Sequence, residues 1–295
     1  MVRIIEVGPR DGLQNENVQI STEIKLAVIS ALANSGLKEI EATSFVSPKW
    51  VPQLGDAFEL WGQLPPGPLY SCLVPNQRGL HRALEAAAKR IAVFTAVTDE
   101  FCEHNLNMSV DESLAVFSEV VSEFRGQVPD GWVRGYLSTS FECPYSGRVN
   151  PERTAAALIR LFDLGVDEVS IGDTVGKAGP KEVAALCSEI SAVDKGKVVW
   201  HFHDTYGTAV ANTAMALQHG YLAFDASAGG LGGCPYSPGA GGNLSTDDLV
   251  YFLERSGVPT GVDREKLAHA SEVIFQALGR SPASKAQVAT LACSP

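Results

Sequence analysis

The stretch that decides the fold reads Val198-Val199-Trp200-His201-Phe202-His203-Asp204-Thr205. Its first five residues are β-branched, aromatic or otherwise suited to a sheet, which predicts a short buried strand. Side chains alternate between the two faces of a strand, so His201 and His203 should point the same way, about 7 Å apart. Two neutral imidazoles on one face can bind one cation, although two histidines that each satisfy a core hydrogen bond would give the same pattern.

Strand-like and helix-like stretches alternate along the whole chain, and the stretch around His201 is the seventh of eight predicted strands. Eight strand–helix units, without a Gly-rich dinucleotide fingerprint after the first strand, favour a (β/α)8 TIM barrel over a doubly wound sheet. An extra C-terminal helix is predicted at 264–278 and an irregular tail at 281–295. No composition shift marks a linker, so we expect a single domain over residues 1–295. The predicted strands cover 3–7, 39–43, 70–74, 91–97, 132–137, 168–171, 198–202 and 223–227.

Composition excludes several classes of protein. The chain has 295 residues, of which 45% are hydrophobic and 19% charged, as in a globular protein. A net charge of −11 argues against nucleic acid as a partner. The apolar runs are short and no targeting signal precedes the first strand, so we expect no membrane span and a cytoplasmic location. The six cysteines are scattered, which predicts neither a disulfide framework nor a structural zinc site.

Charged and metal-ligating residues recur at the C-terminal ends of the predicted strands, where barrel enzymes carry their catalytic groups. Each has an ordinary structural explanation, such as a turn cap or a lysine pair. Together, however, they would be several costly buried charges without a purpose. One carboxylate, two imidazoles and one amide oxygen suit Mg²⁺ or Mn²⁺, whereas Zn²⁺ would be expected to bind Cys234. These four ligand groups belong to Asp11, His201, His203 and Asn243.

The Gly-rich segment 228–243 follows the last predicted strand. It is not a phosphate loop, because no Gly-Lys-Ser/Thr sequence follows. A long loop without secondary structure in a compact domain is more often a lid or a binding loop than a floppy connection. It carries Cys234, and a free cysteine is more often a buried apolar residue than a reactive one. Beside a metal and Arg10, however, its thiolate would be favoured and could move protons.

Four stretches carry a resemblance to a known family: they are Glu6-Val-Gly-Pro-Arg-Asp-Gly-Leu-Gln-Asn15, Glu41-Ala-Thr-Ser-Phe-Val-Ser-Pro-Lys-Trp-Val-Pro52, His201-Phe-His-Asp-Thr-Tyr-Gly207 and Gly230-Leu-Gly-Gly-Cys-Pro-Tyr236. Together they resemble the 3-hydroxy-3-methylglutaryl-CoA (HMG-CoA) lyases, a branch of the metal-dependent lyases and synthases that share an Arg-Asp…Glu signature on a TIM barrel. The resemblance implies cleavage of HMG-CoA to acetyl-CoA and acetoacetate with a divalent metal, as in leucine catabolism and ketone-body metabolism. It also implies a homodimer.

The resemblance assigns a role to each candidate site residue. Arg10 would bind substrate and stabilise an enolate, and Cys234 would be the catalytic thiol that protonates it. Glu41 and Asp173 would support the site, and Asn105 would contact the pantetheine arm of an acyl-CoA substrate. The metal ligands would be Asp11, His201, His203 and Asn243.

Three other functions remain open from the sequence. The same site could act on a longer 3-hydroxy-3-alkylglutaryl-CoA, or the enzyme could run as an acyl-CoA condensing synthase. A metal-stabilised barrel could also serve as a scaffold without activity. Turnover of several acyl-CoAs, with and without added divalent metal, separates these readings.

Overall fold

Eight parallel strands close into one barrel in the computed structural model, which describes residues 1–233 and 242–293. Their order around the barrel follows the chain, and the first strand pairs with the last in the register Arg3↔Ala223. The predicted (β/α)8 TIM barrel is thereby confirmed. In chain order, the barrel strands are Arg3–Glu6, Glu39–Ser44, Leu69–Leu73, Arg90–Ala96, Trp132–Ser138, Glu168–Asp173, Val198–Phe202 and Ala223–Ala226.

Helices surround the barrel and cover its outer face, as expected for parallel strands joined by helical crossovers. The longest helix, Val110–Gln127, begins with a capping box in which Ser109 Oγ accepts from the backbone N–H of Glu112. The described helices are Thr22–Asn34, Ala57–Trp61, Gln77–Glu85, Asp99–Leu106, Val110–Gln127, Pro151–Asp163, Pro180–Glu189, Ala209–Gln218, Thr246–Arg255, Arg264–Ala270, Glu272–Leu278 and Lys285–Cys293. None of these has the length and apolarity needed to cross a membrane.

The extra C-terminal helix predicted at 264–278 is two helices. Arg264–Ala270 ends at Ser271, and Glu272–Leu278 begins there. Ser271 is buried, and its hydroxyl is engaged by a side chain from later in the chain. The apolar spacing continues across this position, which is why the sequence suggested one helix.

The prediction of an irregular tail at 281–295 was wrong for residues 285–293, because Lys285–Cys293 is helical. Its apolar residues follow no clear 3.6-residue spacing, so a periodic signal was missing. The helix is held against the rest of the protein by hydrogen bonds, including those of one buried polar side chain, Gln287. Its amide nitrogen donates to Ala268 O at 2.8 Å and to Ser271 Oγ at 2.6 Å. Tertiary hydrogen bonds of this kind cannot be predicted from the local spacing of apolar residues.

The seventh strand shows why the barrel mouth holds the polar residues. Trp200 and Phe202 stack with a centroid separation of 5.6 Å and belong to the core beneath the helices. His201 and His203 lie on the opposite face, and their ring centroids are 5.2 Å apart, closer than the predicted 7 Å. The alternation of a strand therefore sends the apolar rings outward and both imidazoles toward the barrel axis.

Candidate active site

A tight turn after the first strand carries Arg10 and Asp11. Residues Gly8–Gly12 form one turn of π-helix, in which the N–H groups of Asp11 and Gly12 both donate to Val7 O. Such turns are rare and often lie at functional sites. A side chain at Gly8 would place its Cβ 2.5 Å from the Glu6 carboxylate, so glycine is required for this close approach. The turn directs Arg10 and Asp11 into the barrel mouth.

Asp11, His201 and His203 meet at this mouth. One candidate ligand atom from each lies within 4.8 Å of the other two, a spacing that can hold a metal ion. His201 Nε2 is 3.8 Å from Asp11 Oδ2. The structure thus brings together three of the four predicted ligands, from the first and seventh strands.

The fourth predicted ligand, Asn243, lies at the end of the Gly-rich segment and next to Asp11 and His203. It forms an antiparallel bridge with His203. Leu244 N donates to Phe202 O at 2.9 Å, which continues the pairing. Asn243 Nδ2 donates to Asp11 Oδ2 at 3.0 Å and to Leu231 O at 3.3 Å. Because the amide nitrogen is used in this way, the amide oxygen remains as the candidate ligand atom.

Buried polar atoms without partners show that these residues fit a cation. Asn243 Oδ1 and His203 Nδ1 are both buried and have no hydrogen-bond partner within residues 1–233 and 242–293. Such atoms are costly in a folded protein unless water or an ion satisfies them. The donor set of oxygens and imidazole nitrogens suits a hard divalent cation.

The electrostatics of the cluster favour the protonation states that a ligand needs. Burial would raise the pKa of Asp11, but Arg10 and the two histidines outweigh it and hold the pKa well below its usual range. Burial, aided by His201, lowers the pKa of His203 to about 4. At neutral pH the carboxylate is therefore charged and this imidazole neutral, as metal ligation requires.

Arg10 is fixed beside this cluster by two carboxylates and a tyrosine. Its Nη1 lies 2.5 Å from Asp11 Oδ1, and its Nε donates to Glu41 Oε1. Its guanidinium also lies 5.1 Å from the centroid of the Tyr136 ring. Arg10 is 5% exposed and Glu41 is fully buried. The arrangement holds a permanent positive charge at the floor of the cleft in a fixed orientation.

The structure places Asp173 at the end of the sixth strand as a loop cap. Its carboxylate accepts from the N–H groups of Lys177 and Ala178, both at 3.1 Å. Burial raises its pKa to about 7, against the effect of these hydrogen bonds. Asp173 therefore orders the loop after the sixth strand.

A cleft of about 1090 Å³ opens over the cluster. Arg10, Asp11, His201 and His203 lie among the residues that line it, and Asn105 lines it at the end of the helix Asp99–Leu106. This volume exceeds the roughly 300–1,000 Å³ typical of small-molecule sites. The cleft is suited to a long ligand whose reactive end reaches the barrel mouth.

The predicted thiol, Cys234, lies outside the described residues. The last described residue before it, Gly233, lines the cleft, and Asn15 Nδ2 donates to Gly233 O at 3.1 Å.

Four buried residues at the site were missed by the sequence analysis. They connect His201 to Arg10, by way of Glu41, through hydrogen bonds inside the barrel. A signal was present, since polar side chains at alternate positions of otherwise apolar strands face the barrel axis. These residues are Arg134, Tyr136, Ser170 and Asp225.

Comparisons with known proteins agree with this geometry. A family model described as HMGL-like matches residues 1–274. The mitochondrial hydroxymethylglutaryl-CoA lyase of Pongo abelii is 45% identical over 292 residues, covering 98% of this chain and 89% of the relative. The hydroxymethylglutaryl-CoA lyase structure from Pseudomonas aeruginosa superposes with a TM-score of 0.96 at 42% identity and covers 99% of this chain and 98% of its own. An HMG-CoA lyase from Acinetobacter baumannii, in complex with coenzyme A and 3-methylmalate, gives 0.91 at 34% identity, with 97% and 93% covered.

Proposed function

The chain belongs to the HMGL-like family, and on that premise we propose that it is a carbon–carbon lyase that cleaves HMG-CoA to acetyl-CoA and acetoacetate. The observation that carries this proposal is the cluster of Asp11, His201 and His203 beside Arg10 at the floor of the cleft. Relatives named as HMG-CoA lyases match nearly the whole chain, and one of them binds coenzyme A. An acyl-CoA is therefore the substrate class.

The cofactor we propose is Mg²⁺ or Mn²⁺, held by Asp11, His201, His203 and Asn243. The mixture of oxygen and nitrogen donors supports this choice over a soft cation. When bound, such a cation supplies Lewis-acid polarisation of the oxygens at the reacting end of the substrate.

The protein's own groups supply the remaining chemistry. The tertiary hydroxyl of HMG-CoA must lose a proton, and Asp11 is the candidate base because its carboxylate lines the cleft and has a second oxygen besides the one that would bind the cation. Cleavage of the bond between C2 and C3 then releases acetoacetate and leaves the enolate of acetyl-CoA, whose carbon takes a proton from the Cys234 thiol. Arg10 donates to the thioester oxygen as it becomes negative. Glu41 holds Arg10 in that position, and Asp173 orders the neighbouring loop.

The cleft carries groups that suit the anionic part of an acyl-CoA. Lys49 and Arg78 are exposed and line the cleft, so they offer positive charge to coenzyme A phosphates on a chain of net charge −11. Asn105 lines the same cleft, where we propose that it contacts the pantetheine arm. The barrel mouth then receives the branched acyl group.

Cys234→Ser is expected to lower kcat by at least about 10²-fold, since a hydroxyl is a far weaker proton donor than a thiol in general acid catalysis. The metal content should not change, because the thiol is not among the proposed ligands. Steady-state kinetics and elemental analysis of the same preparation measure both quantities. Loss of the metal in this variant would instead make Cys234 a ligand, and unchanged kcat would remove it from the mechanism.

The proposed function is tested by incubating the purified protein with HMG-CoA and measuring acetoacetate. We expect turnover with Mg²⁺ or Mn²⁺, loss of turnover with EDTA, and recovery when metal is restored. Faster turnover of a longer 3-hydroxy-3-alkylglutaryl-CoA would identify that acyl-CoA, and not HMG-CoA, as the preferred substrate. Net condensation of acetyl-CoA with a keto acid would indicate a synthase. Unfolding by EDTA without turnover of any acyl-CoA would indicate a scaffold.

We also propose that the protein is a homodimer, on the basis of the family resemblance, that it works in the cytoplasm, and that each subunit is a single catalytic domain. Light scattering of the purified protein measures the first of these, and a monomer at micromolar concentration would contradict it.

A further inference from the structure

A buried carboxylate, Asp225, lies behind His201 inside the barrel and has no part in the steps above. It is 1% exposed and lies on the eighth strand, directly opposite His201 on the seventh. Its Oδ2 is 3.1 Å from His201 Nδ1, while Nε2 of the same ring faces Asp11 at 3.8 Å. The imidazole therefore presents one nitrogen to Asp225 and the other to the proposed cation site.

Two further donors keep Asp225 as an acceptor. Arg134 Nη1 donates to Oδ1 at 2.9 Å, and Ser170 Oγ donates to Oδ2 at 2.7 Å. An ionised carboxylate can only accept hydrogen bonds, so the proton between Asp225 and His201 belongs to Nδ1 of the ring. With Nδ1 protonated, Nε2 keeps its lone pair directed toward Asp11.

Arg134 also reaches the other half of the site by a separate branch. Its Nη1 lies 3.1 Å from the Tyr136 hydroxyl, which donates to Glu41 Oε2 at 2.6 Å. Glu41 in turn accepts from Arg10. The buried guanidinium of Arg134 thus connects His201, through Asp225, with Arg10, through Tyr136 and Glu41. A substitution at Asp225 or at Tyr136 therefore removes one of these two connections and leaves the residues of the other unchanged.

We propose that Asp225 is the positioning residue that fixes the tautomer and the ring orientation of His201 for cation binding. The inference rests on the proposed function, because it assumes that His201 binds the metal. Removal of a carboxylate hydrogen-bonded to a ligating histidine typically weakens metal affinity by about 10–100-fold. Loss of the Tyr136 hydroxyl should not have this effect, since that hydroxyl contacts Arg134 and Glu41 and none of the four proposed ligands.

The test compares Mn²⁺ affinity in three variants by titration followed by electron paramagnetic resonance. Asp225→Asn is expected to raise the Kd for Mn²⁺ by about 10–100-fold. Tyr136→Phe keeps the ring that contacts Arg10 and should lower kcat without changing the Kd for Mn²⁺. Asp56→Asn is the matched control, because Asp56 pairs with buried Lys25 and neither residue lines the cleft. It should lower Tm while kcat and the Kd for Mn²⁺ stay unchanged.

If Asp225→Asn does not fold, the tautomer of His201 can still be measured in the wild-type protein. Nitrogen-15 spectra of the metal-free wild-type protein should show His201 with its proton on Nδ1, assigned by comparison with His201→Gln. A neutral His201 ring with its proton on Nε2 would overturn the inference, as would equal Mn²⁺ affinity in the wild type and a folded Asp225→Asn. A wild-type protein that turns over HMG-CoA but fails this test leaves the proposed function standing. A wild type that binds no Mn²⁺ overturns both.

Discussion

Arg10→Gln is expected to lower kcat for HMG-CoA cleavage by about 10²–10³-fold, the loss typical of a donor that stabilises an oxyanion. Arg10 is nearly buried and carries its charge at the floor of the cleft, where water cannot substitute for it. The glutamine amide can still donate to Glu41, so we expect the fold to persist. Steady-state kinetics give kcat, and thermal unfolding of the same sample gives Tm.

Two further variants make this result specific. Arg10→Lys keeps the charge but loses the planar fork that contacts both carboxylates, so its kcat should fall less than that of Arg10→Gln. Arg125→Gln is the matched control, because Arg125 is half-buried, pairs with Asp167, and neither residue lines the cleft. Its kcat should equal that of the wild type. Unchanged kcat in Arg10→Gln would remove Arg10 from the mechanism.

Asp11→Asn is expected to raise the Kd for the divalent cation by more than about 100-fold, beyond the range typical of residues that act through a ligand. Asp11 is the one carboxylate in the ligand cluster and is held ionised by Arg10 and the two histidines. The asparagine is nearly the same size but neutral. Turnover at low metal concentration should therefore fall, with partial recovery at high metal concentration. A Mn²⁺ titration with parallel kinetics measures both effects.

The control for this variant removes one negative charge elsewhere. Glu142 lies on the hairpin formed by Glu142–Cys143 and Gly147–Arg148, and it pairs with Lys177. It does not line the cleft. Glu142→Gln should leave the Kd for Mn²⁺ unchanged. Equal loss of affinity in both variants would show that net charge, and not ligation by Asp11, controls metal binding.

The barrel could be predicted from the sequence because its signals are local. Each strand is a short run of apolar residues, and each long helix has its own periodicity, so eight alternations were enough to specify the architecture. The tail was different. The helix Lys285–Cys293 depends on the buried Gln287, whose partners are Ala268 and Ser271. Contacts between residues far apart in the chain leave no local pattern.

The candidate site also has a part that could be predicted from the sequence and a part that could not. Asp11, His201, His203 and Asn243 could be named because a barrel brings the ends of its strands to one rim. The residues behind them could not be paired from the sequence. Asp225 and His201 become neighbours only through the register of the seventh and eighth strands, and a shift of one residue would separate them.

The most direct test of the account is the position of Mn²⁺ in a crystal of the protein, located by its anomalous scattering. We expect one peak bounded by Asp11, His201 Nε2, His203 and Asn243 Oδ1, with distances to these atoms of about 2.0–2.4 Å. A catalytically active crystal form with Mn²⁺ bound elsewhere, or with no ordered Mn²⁺, would contradict the claim that these four residues form the metal site.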